Sequence, residues 1–117
     1  MFYKHDDGAT PLLAWLDTVQ PREAVAKCIA LIDLLKEKGH ELRRPHADVL
    51  TDGIHELRAH QGRVQLRMLY FFDEKTAVIT HGFIKRGKKV SPKEITRAKG
   101  FRNRYHTDPE SHTHEEG

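Results

Sequence analysis

The fold is decided between residues 54 and 85, which read IHELRAHQGRVQLRMLYFFDEKTAVITHGFIK. Apolar and polar side chains alternate through this stretch, and two turn signals interrupt it, at Gln61-Gly62 and at residues 73–75. A period of two bounded by short turns is typical of β-hairpins. The stretch therefore predicts an antiparallel meander of three strands, at residues 54–60, 63–72 and 76–85.

The turn lengths also predict which side chains face one another. With Gln61-Gly62 as a two-residue turn, Arg67 lies opposite Glu56, and with a three-residue turn at 73–75 it also lies opposite His81. Because side chains alternate between the faces of a sheet, one face carries this ionisable row next to an apolar row of Ile54, Leu69 and Ile79. The other face is the predicted core, formed by Leu57, Val64, Leu66, Met68, Tyr70, Phe72, Val78 and Ile84.

Helical patterns flank the meander on both sides. Thr10-Pro11 is typical of a helix start, and Pro21 ends that short helix and opens a longer one, whose apolar stripe runs from Val25 to Leu35 and stops before Gly39. Cys28 lies on this stripe and is predicted to be a core thiol. Residues 2–5 predict a short edge strand, and residues 40–53 an irregular connector.

After the meander, the tetrad Ser91-Pro92-Lys93-Glu94 predicts a capping box that opens a C-terminal helix. Its apolar side consists of Ile95, Ala98, Phe101 and Tyr105. Residues 107–117 are polar and acidic and predict a disordered tail. The chain is therefore expected to form one α+β domain over residues 1–106, in the order β-α-α-β-β-β-α. Two N-terminal helices would lie on one face of a small antiparallel sheet.

Composition narrows the class of protein. The chain has 117 residues, a formal net charge of +3 and a single cysteine, so it is one small domain without a disulfide framework. No apolar run is long enough to span a bilayer, and the N-terminus has no secretory h-region. A cytoplasmic protein is therefore expected.

Charge is unevenly distributed along the chain. Residues 58–106 carry 13 Lys/Arg against 3 Asp/Glu, whereas residues 1–57 carry 7 against 10 and residues 107–117 carry none against 4. A basic stretch of this kind favours a polyanionic partner, most often a nucleic acid, although a solvated basic face is an equally good interpretation of charge alone.

The predicted register places the basic side chains at the open end of one sheet face. Arg58 and Lys85 flank Arg67, whose guanidinium is expected to contact a scissile phosphate, and Glu56 or His81 is placed to accept a proton from a ribose hydroxyl. Further candidates for RNA binding on this face and on the basic loop after it are Arg63, Phe83, Lys88 and Lys89. The less specific alternatives are a surface ion pair between Glu56 and Arg67 and a module that binds nucleic acid or protein without catalysis.

Four segments, in order and at matching spacing, resemble one family: residues 53–58 (GIHELR), 67–72 (RMLYFF), 81–86 (HGFIKR) and 92–95 (PKEI), the last followed by Ala98. They resemble the phage-derived, HigB-like branch of the RelE/ParE toxin superfamily. Upstream, Trp15-Leu16 and the pattern Gly39, Leu42, Pro45 and Leu50 also fit that branch.

The resemblance implies the element order given above and a type II toxin encoded beside an antitoxin, often a helix-turn-helix protein. Such toxins cut mRNA, usually on the ribosome, with the substrate's own 2′-hydroxyl as nucleophile and no metal or cofactor. It also implies roles for Arg67 as the central-strand arginine, for Lys85 and Arg86 as the basic cluster, and for the motifs that contain Glu56, Arg58 and His81. Arg86 and Tyr105, which lies where some relatives have a functional aromatic side chain, are further RNA-binding candidates that the resemblance implies.

Two features leave alternatives open. The superfamily also contains ParE-like gyrase inhibitors, which share the fold and cut no RNA, so fold alone does not choose between the activities. The acidic tail extends beyond the family domain, and its His112 and His114 are too weak a signal to predict a metal site.

Overall fold

The computed structural model of the chain describes residues 1–115. In chain order the elements are β1 (Phe2–Tyr3), α1 (Pro11–Thr18), α2 (Arg22–Lys38), a 3₁₀ turn (Gly39–Glu41), β2 (Ala47–Thr51), β3 (Ile54–Gln61), β4 (Val64–Asp73), β5 (Thr76–Lys85), α3 (Pro92–Thr107) and β6 (Thr113–His114). The fold is α+β, as predicted. Over the described residues it has the three expected helices and six strands, two more than expected.

The sheet has six strands in the order β2-β3-β4-β5-β1-β6. It is mixed rather than purely antiparallel, because β1 runs parallel to β5 while every other described pairing is antiparallel. The predicted edge strand at the N-terminus is wrong in position, since β1 lies between β5 and β6. Part of the predicted connector is a strand as well: β2 pairs with the outer edge of β3, whose backbone groups would otherwise lack partners.

The first hairpin is shifted by two residues from the prediction. Gln61 pairs with Val64, so the two-residue loop is Gly62-Arg63, and Gly62 has the positive φ of 59° that this loop requires. Arg67 consequently lies opposite Arg58 rather than Glu56. A shift of two leaves every side chain on its predicted face, so Glu56 and Arg67 remain neighbours on a diagonal.

The second hairpin contains a bulge that the sequence does not reveal. Asp73 pairs with Thr76, so this loop too has two residues, and the register shifts where Leu69 pairs with His81 but Tyr70 pairs with Ile79. Thr80 is the extra residue of this bulge, so the residues of β5 before it lie on the faces opposite to those predicted. Ile79 therefore packs in the core beneath α1 and α2, and Val78 beneath α3, the reverse of the prediction.

Helices cover both faces of the sheet. On one face α1 packs on β5 and α2 on β3, around the cluster that holds Leu12, Cys28, Leu57 and Met68. On the other face α3 packs over β3, β4 and β5, and its Ala98, Phe101 and Tyr105 join a second cluster. The face predicted to be open at its cationic end is therefore covered by α3 along part of its length.

The start of α3 departs from the predicted capping box. The Ser91 hydroxyl accepts a hydrogen bond from the Lys93 N–H, as an N-cap should. The Glu94 carboxylate, however, does not return to the cap, and its Oε1 lies 3.2 Å from Nε2 of His81 on β5. Glu94, which the sequence predicts to cap the helix, thus contacts a residue of β5 instead.

The C-terminal segment is placed against the sheet, which differs from the predicted disordered tail. His112 is buried and stacks on Tyr3, and the Lys4 N–H donates to the His112 carbonyl. Thr113 and His114 then pair with β1 as β6. The prediction for Glu116 and Gly117 lies outside the described residues.

Gly82 marks the closest approach between α1 and β5. A Cβ placed on Gly82 would lie 2.1 Å from Cε3 of the Trp15 ring, so Gly82→Ala should lower the free energy of unfolding by about 1–3 kcal/mol. Gly100→Ala is the matched control, because Gly100 lies in α3 with open space around it and gains about 0.5–1 kcal/mol of helix propensity. Urea denaturation of both variants should show changes of opposite sign in the free energy of unfolding. Equal changes for the two variants would contradict the packing described.

Candidate functional site

A basic cavity lies where β2, β3, the end of β5 and the start of α3 meet. Its volume is about 320 Å³. Four cationic side chains and one carboxylate share its wall with four uncharged residues, and the charged set is Arg58, Lys85, Lys88, Lys89 and Glu56. All five are residues that the sequence predicts for catalysis or RNA binding. We refer to this site as the basic cavity.

The Glu56 carboxylate lies close to two arginine side chains. Its Oε1 lies 3.2 Å from Nε of Arg67, a close ion pair that misses hydrogen-bond geometry, so neither atom has a hydrogen bond to a described residue. Its Oε2 lies 3.9 Å from Nε of Arg58. Because Oε1 is enclosed and Glu56 lines the cavity, Oε2 is the oxygen available to a ligand.

Arg67 lies beneath the basic cavity and does not line it. Its side chain is 2% exposed, and its Nη1 donates to the Leu66 carbonyl at 2.9 Å. Burial lowers the pKa of this guanidinium, an effect that neighbouring Arg58 reinforces and the charge of Glu56 opposes. The Arg67 guanidinium therefore contacts Glu56 and a main-chain carbonyl and does not face the basic cavity.

The remaining RNA-binding candidates are not gathered at the cavity. Arg63 is exposed on the first hairpin loop and Arg86 on the loop after β5, while half-buried Phe83 pairs with Arg67 and packs under α3. The buried Tyr105 donates its hydroxyl hydrogen bond to Asp73 Oδ2 at 2.6 Å, which together with burial raises its pKa to about 12. Tyr105 therefore anchors α3 to the end of β4.

His81 lies on the far side of α3, away from the basic cavity. It is 1% exposed, and burial together with nearby Arg97 lowers its pKa to about 4, although Glu94 opposes that shift. Nε2 of the ring lies 3.2 Å from Oε1 of Glu94, and Nδ1 lies 3.0 Å from the Thr80 hydroxyl, which donates its single hydrogen to the Leu69 carbonyl at 3.2 Å. The buried ring therefore contacts Thr80 and Glu94 and does not line the basic cavity.

The buried neutral His81 predicts a loss of stability in acid. The unfolded chain takes up the proton near the ordinary pKa of 6.5, whereas the native ring resists it until about 4. The contribution of the neutral His81 ring to stability is therefore fully present above pH 6.5. The free energy of unfolding should fall by on the order of 2–3 kcal/mol as the pH falls from there to 4.

Urea unfolding against pH checks this for the wild type and for His81→Gln, whose side chain does not titrate. The free-energy difference between them should shrink as the pH falls through this window. His46→Gln, which makes the same substitution at an exposed histidine, is the matched control. A His81→Gln profile parallel to that of the wild type would contradict a buried neutral ring.

Within residues 1–115, no three His, Cys, Asp or Glu side chains come together in a way that could hold a metal ion. Over the same residues, no helix combines the length and apolar character needed to cross a bilayer.

Sequence reasoning missed part of the cavity wall and one polar contact. Leu50 and Thr51 line the cavity from β2, a strand hidden in a segment rich in turn-forming and charged residues. The sequence predicts a helix-capping role for Glu94, because the capping-box pattern explains this residue locally. Only the bulge at Thr80, which sets the position of His81, brings the two side chains together.

Comparison with known proteins identifies a family. The family model described as phage derived protein Gp49-like (DUF891) matches residues 14–103, about three quarters of the chain. No curated protein and no solved structure matches the chain significantly. The matched stretch contains every residue of the basic cavity, and leaves out β1 and the C-terminal strand β6.

Proposed function

Because the chain belongs to the Gp49-like family of phage-derived proteins, a family in the RelE/toxin-like group, we propose that it is the toxin of a type II toxin–antitoxin pair and cleaves mRNA at the basic cavity. The observation that carries this proposal is the meeting of four cations with one carboxylate in a single recess. Cations neutralise a phosphodiester, and a carboxylate beside them can move a proton.

The proposed reaction uses side chains and the substrate alone. Glu56 Oε2 accepts the proton of a ribose 2′-hydroxyl, and the 2′-oxygen attacks the adjacent phosphorus. The bond from phosphorus to the 5′-oxygen breaks, and the leaving oxygen takes a proton from the Lys85 ammonium. The products are a 2′,3′-cyclic phosphate and a 5′-hydroxyl.

The other residues of the cavity have supporting roles in this proposal. Arg58, Lys88 and Lys89 offset the negative charge that develops on the phosphate oxygens, which is usually the largest catalytic contribution. Arg67 is a positioning residue, because its contact with Oε1 turns Oε2 toward the substrate. The activity is placed in the cytoplasm, on mRNA bound to the ribosome.

Expression of the chain alone, followed by mapping of cellular mRNA ends, tests this function. New internal cuts soon after induction are the expected result. Intact mRNA with DNA damage would instead favour a gyrase inhibitor. Normal growth with retained RNA binding would favour a module without catalysis.

A cognate antitoxin is expected to cover the basic cavity and the exposed loop that borders it. Lys88 and Lys89 stand at that loop, and complementary charge mainly accelerates association, an effect that salt weakens. Changing both lysines to glutamate should slow association by about tenfold or more at low salt and flatten its salt dependence. Stopped-flow binding measures both. A salt-insensitive rate that the charge reversal does not change would instead indicate an antitoxin bound elsewhere.

A further inference from the structure

A second cavity lies on the opposite face of the sheet from the basic cavity, between the 3₁₀ turn and the strands β2, β3 and β4. Its volume is about 360 Å³, which is within the usual range for small-ligand sites. Four ring side chains form much of its wall, and they are His40, His55, Tyr70 and Phe72. The proposed reaction uses none of these residues. We refer to this site as the aromatic cavity.

The two histidine rings of this cavity are stacked on aromatic residues of β4. The His40 ring stacks on Phe72 with the ring centroids 3.6 Å apart, and the His55 ring stacks on Tyr70 at 5.1 Å. The His40 ring is also fixed by its Nε2–H, which donates to the Glu74 carbonyl at 2.7 Å. The His40 side chain is nevertheless exposed, so a ligand can reach a ring that is already held in place. A planar ligand can therefore stack there without the cost of ordering the side chain.

His55 has ring nitrogens available for the edge of such a ligand. Its side chain is half-buried, lines the cavity, and makes no hydrogen bond or ion pair with a described residue. Its ring lies at 87° to Phe72, whereas the His40 ring lies within 20° of Phe72, so one flat ligand cannot stack on both histidines. Burial, with a contribution from His40 and against the charge of Asp48, lowers the pKa of His55. The neutral ring therefore offers one donor and one acceptor.

The charged side chains of the aromatic cavity favour a ligand that carries phosphate. Arg43 is exposed, lines the cavity, and makes no ion pair with a described carboxylate. Asp48 also lines the cavity, but its Oδ2 is paired with Nη2 of Arg44 at 2.6 Å. Two arginines against one aspartate leave this wall with a net positive charge, which attracts the backbone of a nucleic acid.

The edge strand β2 joins the aromatic cavity to the basic cavity. Ala47, Asp48 and Val49 line the aromatic cavity, and Leu50 and Thr51 line the basic cavity. Within residues 1–115, β2 is the outermost strand on its side of the sheet, and Val49 is 61% exposed. A single strand of RNA that lies across this exposed edge therefore reaches both cavities.

We propose that the aromatic cavity binds one base of the RNA strand whose backbone lies in the basic cavity. The base stacks on His40, a ring nitrogen of His55 forms a hydrogen bond with its edge, and Arg43 contacts its phosphate. Proteins commonly recognise single-stranded RNA by stacking its bases on aromatic or histidine rings and by hydrogen bonds to the base edges. The inference rests on the proposed function only in that the bound strand is RNA, and it adds a site that selects a base near the cleaved bond.

Binding of a short 2′-O-methyl RNA tests the stack without cleavage, because this strand lacks the attacking hydroxyl. Fluorescence anisotropy compares it with an abasic strand of the same length, which keeps the phosphates and lacks the bases. His40→Ala should weaken binding of the complete strand by about tenfold and leave binding of the abasic strand unchanged. His40→Phe should bind the complete strand as the wild type does, because a phenyl ring also stacks on Phe72 and on a base.

His106→Ala is the matched control, because it removes an exposed histidine of α3 that lines neither cavity. Equal weakening by the two alanine variants would overturn the proposal, and so would a loss of abasic-strand binding in His40→Ala as large as that of the complete strand. Binding of a nucleoside 5′-monophosphate as tight as that of the strand would assign the cavity to free nucleotides instead.

His55→Phe tests recognition of the base edge, because it keeps a ring on Tyr70 and removes both nitrogens. Wild-type protein should bind 2′-O-methyl oligo(A), oligo(U) and oligo(C) with different affinities, and His55→Phe should abolish the differences. Equal affinities of the wild type for the three strands would contradict edge recognition by His55. Failure of the proposed function alone has a different signature, since base-dependent binding would persist while mRNA in induced cells stays intact.

Discussion

Arg67→Ala should lower the free energy of unfolding by about 3–5 kcal/mol, the largest loss of stability expected for a single charged residue of this fold. The variant leaves the Glu56 carboxylate, itself 8% exposed, without the guanidinium that lies 3.2 Å from it. It also removes the donor to the Leu66 carbonyl. Urea denaturation followed by circular dichroism measures the loss, and growth inhibition should disappear with it.

Arg58→Ala is the control for this prediction. The Arg58 side chain is 35% exposed and lies 3.9 Å from the same carboxylate, so its removal should change stability by only ~0–1 kcal/mol. Comparable small losses for the two variants would show that Arg67 is accessible to solvent, as the sequence predicts. In that case Arg67 would again be a candidate for direct phosphate contact.

Glu56→Gln should reduce RNA cleavage by about 10²–10⁴-fold, the contribution typical of a general base. Glutamine keeps the shape of the side chain and cannot accept a proton at neutral pH. RNA should bind at least as tightly, because the substitution removes a negative charge from a cavity with four cations. Single-turnover cleavage and fluorescence anisotropy separate the two effects.

Glu74→Gln provides the same chemical change at an exposed position on the β4–β5 loop and should leave both quantities unchanged. If Glu56→Gln cleaved RNA as fast as the wild type, the base would be a group other than Glu56, and also other than His81, which is buried outside the basic cavity.

The sequence predicts the elements well because periodicity reports local burial. The apolar stripe of α2 and the alternation of β3, β4 and β5 each identify one element to within a residue or two. The faces of β3 and β4 also survive, because a two-residue shift in register preserves the alternation. Pairings across the hairpins are lost, since they depend on which residues form the loop.

Burial of the ionisable face could not be predicted from the strands alone. Alternation places Arg67 and Glu56 on the face away from the long helix, and nothing in their own segment shows that α3 and β2 enclose that face. Because Thr80 is an extra residue in β5, Ile79 and Val78 each lie on the face opposite to the one predicted. The predicted catalytic row is therefore divided: the exposed cations meet Glu56 in the basic cavity, and His81 packs elsewhere with Glu94.

The most direct test of the proposed reaction is the chemistry of the RNA ends formed in a translation extract. Wild-type protein should produce new internal ends that carry 2′,3′-cyclic phosphates and 5′-hydroxyls, and Glu56→Gln should produce almost none. Ends with 5′-phosphates would mean that water, rather than the 2′-hydroxyl, attacks the phosphorus. That result, or equal cutting by the Glu56→Gln variant, would contradict RNA cleavage by Glu56 in the basic cavity.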